Sequence, residues 1–448
     1  MSRKRQMIDA IKLGWPISLQ NTLVTLLGMI DVIMVSHIGD AAIGAVGLGN
    51  RVLFVVMVII FGLSWGVGIL SAQYYGAQQT HKIRRTIVIG FSISVVALLP
   101  IIIANYFFAS DIIGFGSTDS EVIELGTTYL WLAAPSLIFV AVIQILENAL
   151  RSVNQVKLPL LFSVVAIILN IVLNLWLING GFGVPAMGVA GAALATTISR
   201  GVQAVVMVVM LVKMDHFLAV RLTDFYQAND LKEWRKLIIL IVPMMFSFGV
   251  WALGSFCYQL IFGRLGTNEL AVISMLLPLE GMFLSLFFGI AAACSITIGQ
   301  HLGAERNQQA WEVAKTFTFL SPLVAIVIGL IVMAFRDLIL SPYEGVSPVT
   351  LAMSHQIFFI IAGFAWLKVI NLTLAMGVLR AGGDNRYCLI TDTTCMWLIS
   401  LPLTWLAAFY WHLDFKWVVL ISYSEELAKG VMFGWRMRSK RWIRNLTH

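Results

Sequence analysis

Polar residues are sparse along this chain, and they punctuate apolar runs of roughly 20 residues, the length a helix needs to cross a lipid hydrocarbon core. The pattern predicts twelve spans, at about 13–36, 50–74, 86–108, 125–148, 158–178, 187–213, 237–261, 272–299, 314–335, 355–379, 387–410 and 415–435. The runs are uninterrupted, whereas strands of a membrane barrel alternate in shorter segments, so helices are expected. The connecting loops differ in charge. Arg3, Lys4 and Arg5 precede the first span, and Lys82, Arg84 and Arg85 follow the second. Arg151 and Lys157 follow the fourth, and Arg436, Arg438, Lys440, Arg441 and Arg444 follow the last. The loop after the third span instead carries Asp111, Asp119 and Glu121. Basic loops stay on the cytoplasmic side, so both termini are expected there.

The pattern repeats. Residues 16–76 lie on 243–303 at a constant offset of 227, which matches Pro16 with Pro243, Gly39 with Gly266, Phe61-Gly62 with Phe288-Gly289, and Gln73 and Gly76 with Gln300 and Gly303. A second match at an offset of 229 brings Ala149-Leu150-Arg151 onto Val378-Leu379-Arg380. The identities are breakers and helix-end residues, which fix chain geometry. The longest polar stretch, Lys213 to Lys236, mixes both charge signs and reads as a linker. It divides an N-lobe of six spans, residues 1–219, from a C-lobe of six, residues 220–448. Each lobe starts on the same side, so the repeat is parallel. Repeated halves in so apolar a chain indicate a transporter with its solute between two related bundles.

Composition agrees. Of 448 residues 59% are hydrophobic and 12% charged, about half the charged share of a soluble protein. Mean hydropathy is +0.88. The net charge of +7 sits in short loops and at the ends, as membrane orientation requires, so nucleic acid is not an expected partner. The four cysteines lie in apolar runs without metal-ligand spacing and read as small core residues. The first apolar run is too long and too polar for a signal core and is expected to remain as the first membrane helix.

Ionisable groups in a bilayer are costly, so each one inside a span is a functional candidate. Asp31 in the first span is the sharpest. Gln20, eleven residues earlier and about three turns away, is expected on the same face. Asn170 and Asn174 stand one turn apart in the fifth span, at a depth similar to Asp31. A desolvated carboxylate beside amide oxygens suits a proton network or a sodium site. At the position equivalent to Asp31 the C-lobe has Tyr258, so the fold does not demand a carboxylate there. The C-lobe carries its own intramembrane charges: Glu280, Lys368, Asp392, Glu425 and Glu426. Lys368 needs a counter-ion, and Glu280 or Asp392 can supply it. Arg151 and Arg380 end the fourth and tenth spans, where they are expected to complement helix C-termini and anchor to headgroups. Gly188 and Gly191 are expected to let the sixth span pack closely. Met, Phe and Trp are abundant and suit a pocket for apolar cations, although lipid-facing surface and interface belts account for most of them. No nucleotide-binding loop and no His/Cys cluster is found, which leaves an ion gradient, the membrane potential or the solute's own gradient as the energy source.

Several stretches resemble the MATE family, the multidrug and toxic compound extrusion transporters. They are Asp31 to Gly39, Ala72 to Gly76, Ala149 to Asn154, Leu169 to Asn174, Gly188 to Gly191 and Leu379 to Asp384. The tail, Trp442 to Thr447, is similar to one bacterial branch. The resemblance covers the whole chain. It implies an all-α membrane protein of twelve helices in two pseudo-symmetric six-helix lobes forming a V, without a cofactor. It also implies exchange of lipophilic organic cations for protons or sodium by alternating access. In that frame Asp31 matches the helix 1 aspartate linked to cation coupling, Pro16 a proline linked to bending of helix 1, and Asn170 an asparagine of the N-lobe cation site. Asn174 stands where some members have an aspartate. The seventh span lacks the carboxylate of sodium-coupled members, and the tenth carries Lys368 in place of an acid. Proton coupling through Asp31 is therefore favoured, with sodium on Asp31 and Asn170 as the other possibility.

The expectation is a non-enzymatic, cation-coupled efflux antiporter of a bacterial inner membrane, acting as a monomer on small organic cations among membrane lipids. Asp31, Asn170, Asn174 and Gln20 are expected to couple the cation, and Glu280, Lys368, Asp392 and Tyr258 to form a C-lobe substrate or ion network. The rival is a flippase for a lipid-linked precursor. That role calls for several basic residues lining a cavity, and few mid-membrane cations are found.

Overall fold

A computed structural model of the chain describes residues 3–36, 38–181, 183–228, 230–341 and 347–447. These residues are almost wholly helical. The first span belongs to α1 (Arg3–Ser36), the second to α2 (Asp40–Gly76) and the third to α3 (Thr80–Gly114). The fourth is not one straight helix. It is α4 (Ser120–Ala133) followed by α5 (Ser136–Ser152), bent by 46° next to Pro135. Then come α6 (Lys157–Asn179) and α7 (Gly188–Lys213). The polar stretch after α7 is not simple coil. It contains the short α8 (Leu222–Gln227), tied to α3 by Arg84 with Asp224 at 3.3 Å and Arg85 with Gln227 at 2.8 Å.

The second half repeats the first. It runs α9 (Leu231–Leu265), α10 (Thr267–Gly303), α11 (Asn307–Ala334), the short α12 (Arg336–Leu340) and α13 (Pro348–Leu372). A π-helical turn, Thr373–Leu379, extends α13. The eleventh span comprises α14 (Asn385–Thr393), α15 (Leu401–Trp405) and the π-helical turns Thr394–Ser400 and Leu406–Tyr410. The twelfth is α16 (Phe415–Ser422) and α17 (Ser424–Arg438). At the offset of 227, α2 maps onto α10 residue for residue. The loops that follow agree as well: Gln78 and Glu305 share φ of 60° and 59°, and Asn154 and Gly383, related by 229, both have positive φ.

Ten helices are individually long and apolar enough to cross a membrane among the described residues, eleven if the bent pair is one span. The twelfth span falls short because Tyr423 breaks it and α17 carries Glu425, Glu426 and Lys429.

The chain forms two compact units. One comprises residues 19–245, the other residues up to Ser18 and 246–448. The chain thus changes unit inside α1 and again inside α9, at positions related by the same 227-residue offset. In the 19–245 unit a core of Val35, Val46, Leu53, Leu98, Tyr129, Leu137 and Val189 joins α1 to α2, α3, α4, α5 and α7. There α7 crosses α6 backbone to backbone. A Cβ on Gly191 would stand 2.6 Å from the carbonyl of Leu177, so only glycine fits. In the other unit Cys294, Leu302, Phe317, Val378, Phe433 and Trp442 form one core, and Phe262, Leu276, Phe358 and Tyr423 belong to another. Cys294, Cys388 and Cys395 are buried and all four cysteines are free, as expected of small core residues.

Candidate functional site

In the 19–245 unit α1 and α6 bring Asp31 to the asparagine pair. Asn174 Nδ2 donates to Asp31 Oδ1 at 2.7 Å and to Asn170 Oδ1 at 3.0 Å. Asn170 Nδ2 donates to Ser199 Oγ at 3.3 Å and approaches Thr196 Oγ1 at 3.5 Å, both on α7. The two asparagines are four residues apart, so they stack on one face of α6, and both are buried. Asn174 Oδ1 is buried and has no hydrogen-bond partner among the described residues. An acceptor oxygen in that position beside a carboxylate fits a cation, because only a positive ligand or a donor satisfies both. Among the described residues no cation makes an ion pair with Asp31. Arg200 and Tyr129 lie within electrostatic reach of it. Arg200 donates to Gln203 Oε1 at 3.1 Å, and the Tyr129 hydroxyl donates to Asn50 Oδ1 at 2.9 Å.

Gln20 does not join this group. Its amide nitrogen donates to Ser163 Oγ at 2.6 Å and to Glu147 Oε1 at 2.8 Å, and its oxygen accepts from Arg151 Nη2 at 2.6 Å. Eleven residues of helix separate Gln20 from Asp31 by about 16 Å, too far for two side chains sharing a face to meet. Arg151 corrects a second expectation. It is only 6% exposed and pairs with Glu147 at 3.3 Å, so it does not anchor to headgroups.

Arg380 departs from expectation in the same way. It is 3% exposed, with Nη2 donating to Ser247 Oγ at 2.8 Å and to Asp392 Oδ2 at 3.3 Å. Ser247 in turn donates to Asp392 at 2.5 Å. The counter-ion of Lys368 is Glu280, at 2.6 Å, and not Asp392. The Tyr423 hydroxyl also donates to Glu280, at 3.3 Å, and its ring lies 4.9 Å below the Lys368 ammonium. Asp392 has two cations, Arg380 and Lys429, each at 3.3 Å. Lys429 also holds Glu425 at 2.6 Å, and Glu425 accepts from the Tyr258 hydroxyl at 3.0 Å. Tyr258 therefore reaches the network through Glu425. Asn371 donates to Glu426 Oε2 at 2.7 Å.

Lys429, Ser247, Tyr423, Asn371 and Tyr129 are not legible as site residues from local pattern. For Lys429 the repeat offers a signal, since an offset of 229 puts it on Arg200. Pro16 and Pro243 lie inside α1 and α9 at repeat-equivalent positions, and each precedes a change of unit by two residues. A proline inside a helix removes one backbone hydrogen bond and permits a bend. Two residues past Pro16, the Ser18 hydroxyl donates to the Leu286 carbonyl.

A family model described as MatE matches residues 16–176 and 243–406, the two copies of the repeat. The chain belongs to the MatE family. Its relatives include a probable multidrug resistance protein NorM of Bradyrhizobium diazoefficiens, 27% identical over 90% of this chain and 87% of that protein. Another NorM, from Thermotoga maritima, is 24% identical over 92% and 89%. An uncharacterized transporter YisQ of Bacillus subtilis is 23% identical over 96% and 94%. Among solved structures, an outward-facing multidrug resistance MATE family transporter of the MOP superfamily aligns with a TM-score of 0.88 at 18% identity, over 97% of this chain and 96% of that one. A MATE crystal structure in a bent conformation gives 0.87 over 98% and 97%, also at 18% identity. The MatE fold is thus that of a multi-pass membrane protein with twelve helices in two six-helix lobes.

Proposed function

We propose that this MatE protein exports lipophilic organic cations from a bacterial cytoplasm across the plasma membrane, in exchange for protons or sodium, as a monomer with both termini inside. Asp31 is the coupling carboxylate. The observation that carries this reading is its pairing with Asn174, whose second amide atom is an orphaned acceptor in an interior where, among the described residues, no ion pair neutralises the acid. A proton or sodium ion arriving from outside is held by Asp31 and the amide oxygens of Asn174 and Asn170. Neutralising Asp31 changes what α1 prefers to contact, and bending at Pro16 lets the helix respond. Bound substrate leaves, the lobes rock, and the ion is released inside. Membership in the family and relatives named as multidrug resistance proteins support the substrate class. Proton coupling is the favoured form, because Lys368 sits in the tenth span paired with Glu280, on the C-lobe side where sodium-coupled relatives would need an open acid.

Glu280, Lys368, Asp392 and Tyr258 supply the C-lobe's fixed charge framework around the substrate path. Lys368, Lys429, Arg380 and Arg151 are each matched to a carboxylate between 2.6 and 3.3 Å. A flippase for an anionic lipid-linked precursor would need such cations unmatched, so that reading is second.

The test is ethidium transport in proteoliposomes under a proton or a sodium gradient imposed separately. Wild type is expected to respond to one of the two, and Asp31→Asn to neither. Transport by Asp31→Asn at the wild-type rate and ion dependence overturns the reading.

A further inference from the structure

The repeat places the Asp31 site of the N-lobe onto a definite group of C-lobe residues. At the offset of 227, Gln20 falls on Ser247 and Asp31 on Tyr258. At 229, Arg151 falls on Arg380, Ser163 on Asp392, Thr196 on Glu425 and Arg200 on Lys429. The contacts follow the same register. Arg151 bonds Gln20 as Arg380 bonds Ser247, and Gln20 bonds Ser163 as Ser247 bonds Asp392. Acid and hydroxyl have traded places between the two copies. The N-lobe has Asp31 on its first helix and Thr196 on its last. The C-lobe has the Tyr258 hydroxyl on its first helix and Glu425 on its last, joined by a hydrogen bond of 3.0 Å. Both lobes therefore keep one carboxylate at this pair of positions, and the C-lobe adds Asp392 where the N-lobe has Ser163.

What differs is the cation. Asp31 has no ion-pair partner among the described residues, and Arg200 is engaged with Gln203. In the C-lobe the Lys429 ammonium is 2.6 Å from Glu425 and 3.3 Å from Asp392. Glu426 and Cys395 are also within its electrostatic reach, and Lys429 is buried. Asp392 keeps Arg380 and Ser247 whether or not Lys429 is present, whereas Glu425 would be left, among the described residues, with Tyr258 alone.

We infer that the C-lobe contains a second monovalent-cation seat, built on Glu425 and Tyr258, which the Lys429 ammonium fills permanently as a tethered cation. The protein then exchanges one cation per cycle, at Asp31, and the C-lobe copy is closed to ions. A tethered ammonium excludes a free cation because it is already desolvated and held at contact distance, and removing one partner leaves a buried charge that must find another. This rests on the reading of Asp31 as the exchangeable seat, so the two are tested separately.

The experiment counts cations bound per chain on the purified full-length protein, as protons taken up on mild acidification and as radioactive sodium at equilibrium. Asp31→Asn is expected to bind one cation fewer than wild type, and an unchanged count overturns the Asp31 reading alone. Lys429→Met is expected to bind one cation more, in the wild-type background and in the Asp31→Asn background. Glu425→Gln/Lys429→Met is expected to return to the parental count. A folded Lys429→Met with the parental count in both backgrounds overturns the tethered-cation seat. Lys429→Ala with n-propylammonium, the amine its side chain loses, covers the case of poor folding. Saturable thermal stabilisation, absent in wild type and in Glu425→Gln/Lys429→Ala, is expected. Failure of propylammonium to stabilise Lys429→Ala overturns the seat.

Discussion

Arg151 Nη2 donates to Gln20 Oε1 across 2.6 Å, one helical turn beyond Pro16. The bond ties the mid-part of α1 to the end of α5, just where the chain enters the 19–245 unit. While this bond holds, a bend at Pro16 is confined to the part of α1 that precedes Gln20. Gln20→Leu leaves a buried guanidinium short of an acceptor and is expected to cost about 1–3 kcal/mol in stability. Thermal unfolding in detergent checks this. Ser247→Ala, at the equivalent place, is expected to act in the same direction and by less, because Ser247 joins only Arg380 and Asp392 whereas Gln20 joins Arg151, Glu147 and Ser163.

Asn174 is both the donor to Asp31 and the source of the orphaned oxygen. Asn174→Leu removes both, so the apparent affinity for the coupling ion is expected to fall roughly tenfold or more, the equivalent of one or two lost hydrogen bonds to a charge. Ethidium affinity is expected to hold. Ion titration of transport beside fluorescence binding of ethidium separates the two, and a parallel fall in both would remove Asn174 from the ion seat.

Lys368 and Glu280 make a partly buried pair. Lys368→Ala strands the acid and is expected to destabilise by about 3–5 kcal/mol, whereas Glu280→Gln/Lys368→Met removes both charges and recovers most of that loss. A double-mutant cycle on thermal stability and transport reads the coupling directly. Additive effects would mean that the 2.6 Å contact contributes nothing specific.

His216 lies beyond α7, outside the membrane spans. The Leu218 amide donates to its Nδ1 at 3.2 Å, so the ring hydrogen is on Nε2 and faces Gln155 Oε1 at 3.0 Å. Burial pushes its pKa below the ordinary histidine value. A base whose folded value is depressed favours the native state above its unfolded value, and that contribution disappears as pH falls through the folded one. Stability is therefore expected to decline as pH drops below the ordinary histidine range, and His216→Asn is expected to flatten the decline. Melting temperature against pH for the two proteins is the measurement.

Much of the architecture was legible because lipid imposes a simple rule: a helix must be apolar for its whole crossing. The twelve runs, the 227-residue repeat and the meeting of Asp31 with Asn174 all follow from spacing. The interior arginines were not legible. An arginine at the end of an apolar run has the same pattern whether it faces headgroups or a buried acid, and the deciding partner is Glu147 one turn back in the same run for Arg151 and Asp392 in the following run for Arg380. Lys429 was hidden because a lysine one turn after Glu425 has the pattern of a local pair, and its second acid, Asp392, lies in the preceding run. The π-helical turns leave no signature in apolar periodicity, so the tenth and eleventh spans read as plain helices.

The charged α17 also governs how the protein is made. A charged residue at the centre of a membrane helix costs about 2.5–3.5 kcal/mol to insert, and α17 brings Glu425, Glu426 and Lys429 with it. Its partners Tyr258, Asn371 and Asp392 all precede it in the chain, on segments already synthesised when α17 emerges. The last span is thus a poor candidate for insertion by itself and a good one for insertion against a waiting C-lobe, which makes its biogenesis cooperative: the ribosome must deliver the earlier spans before the final one has a place to go.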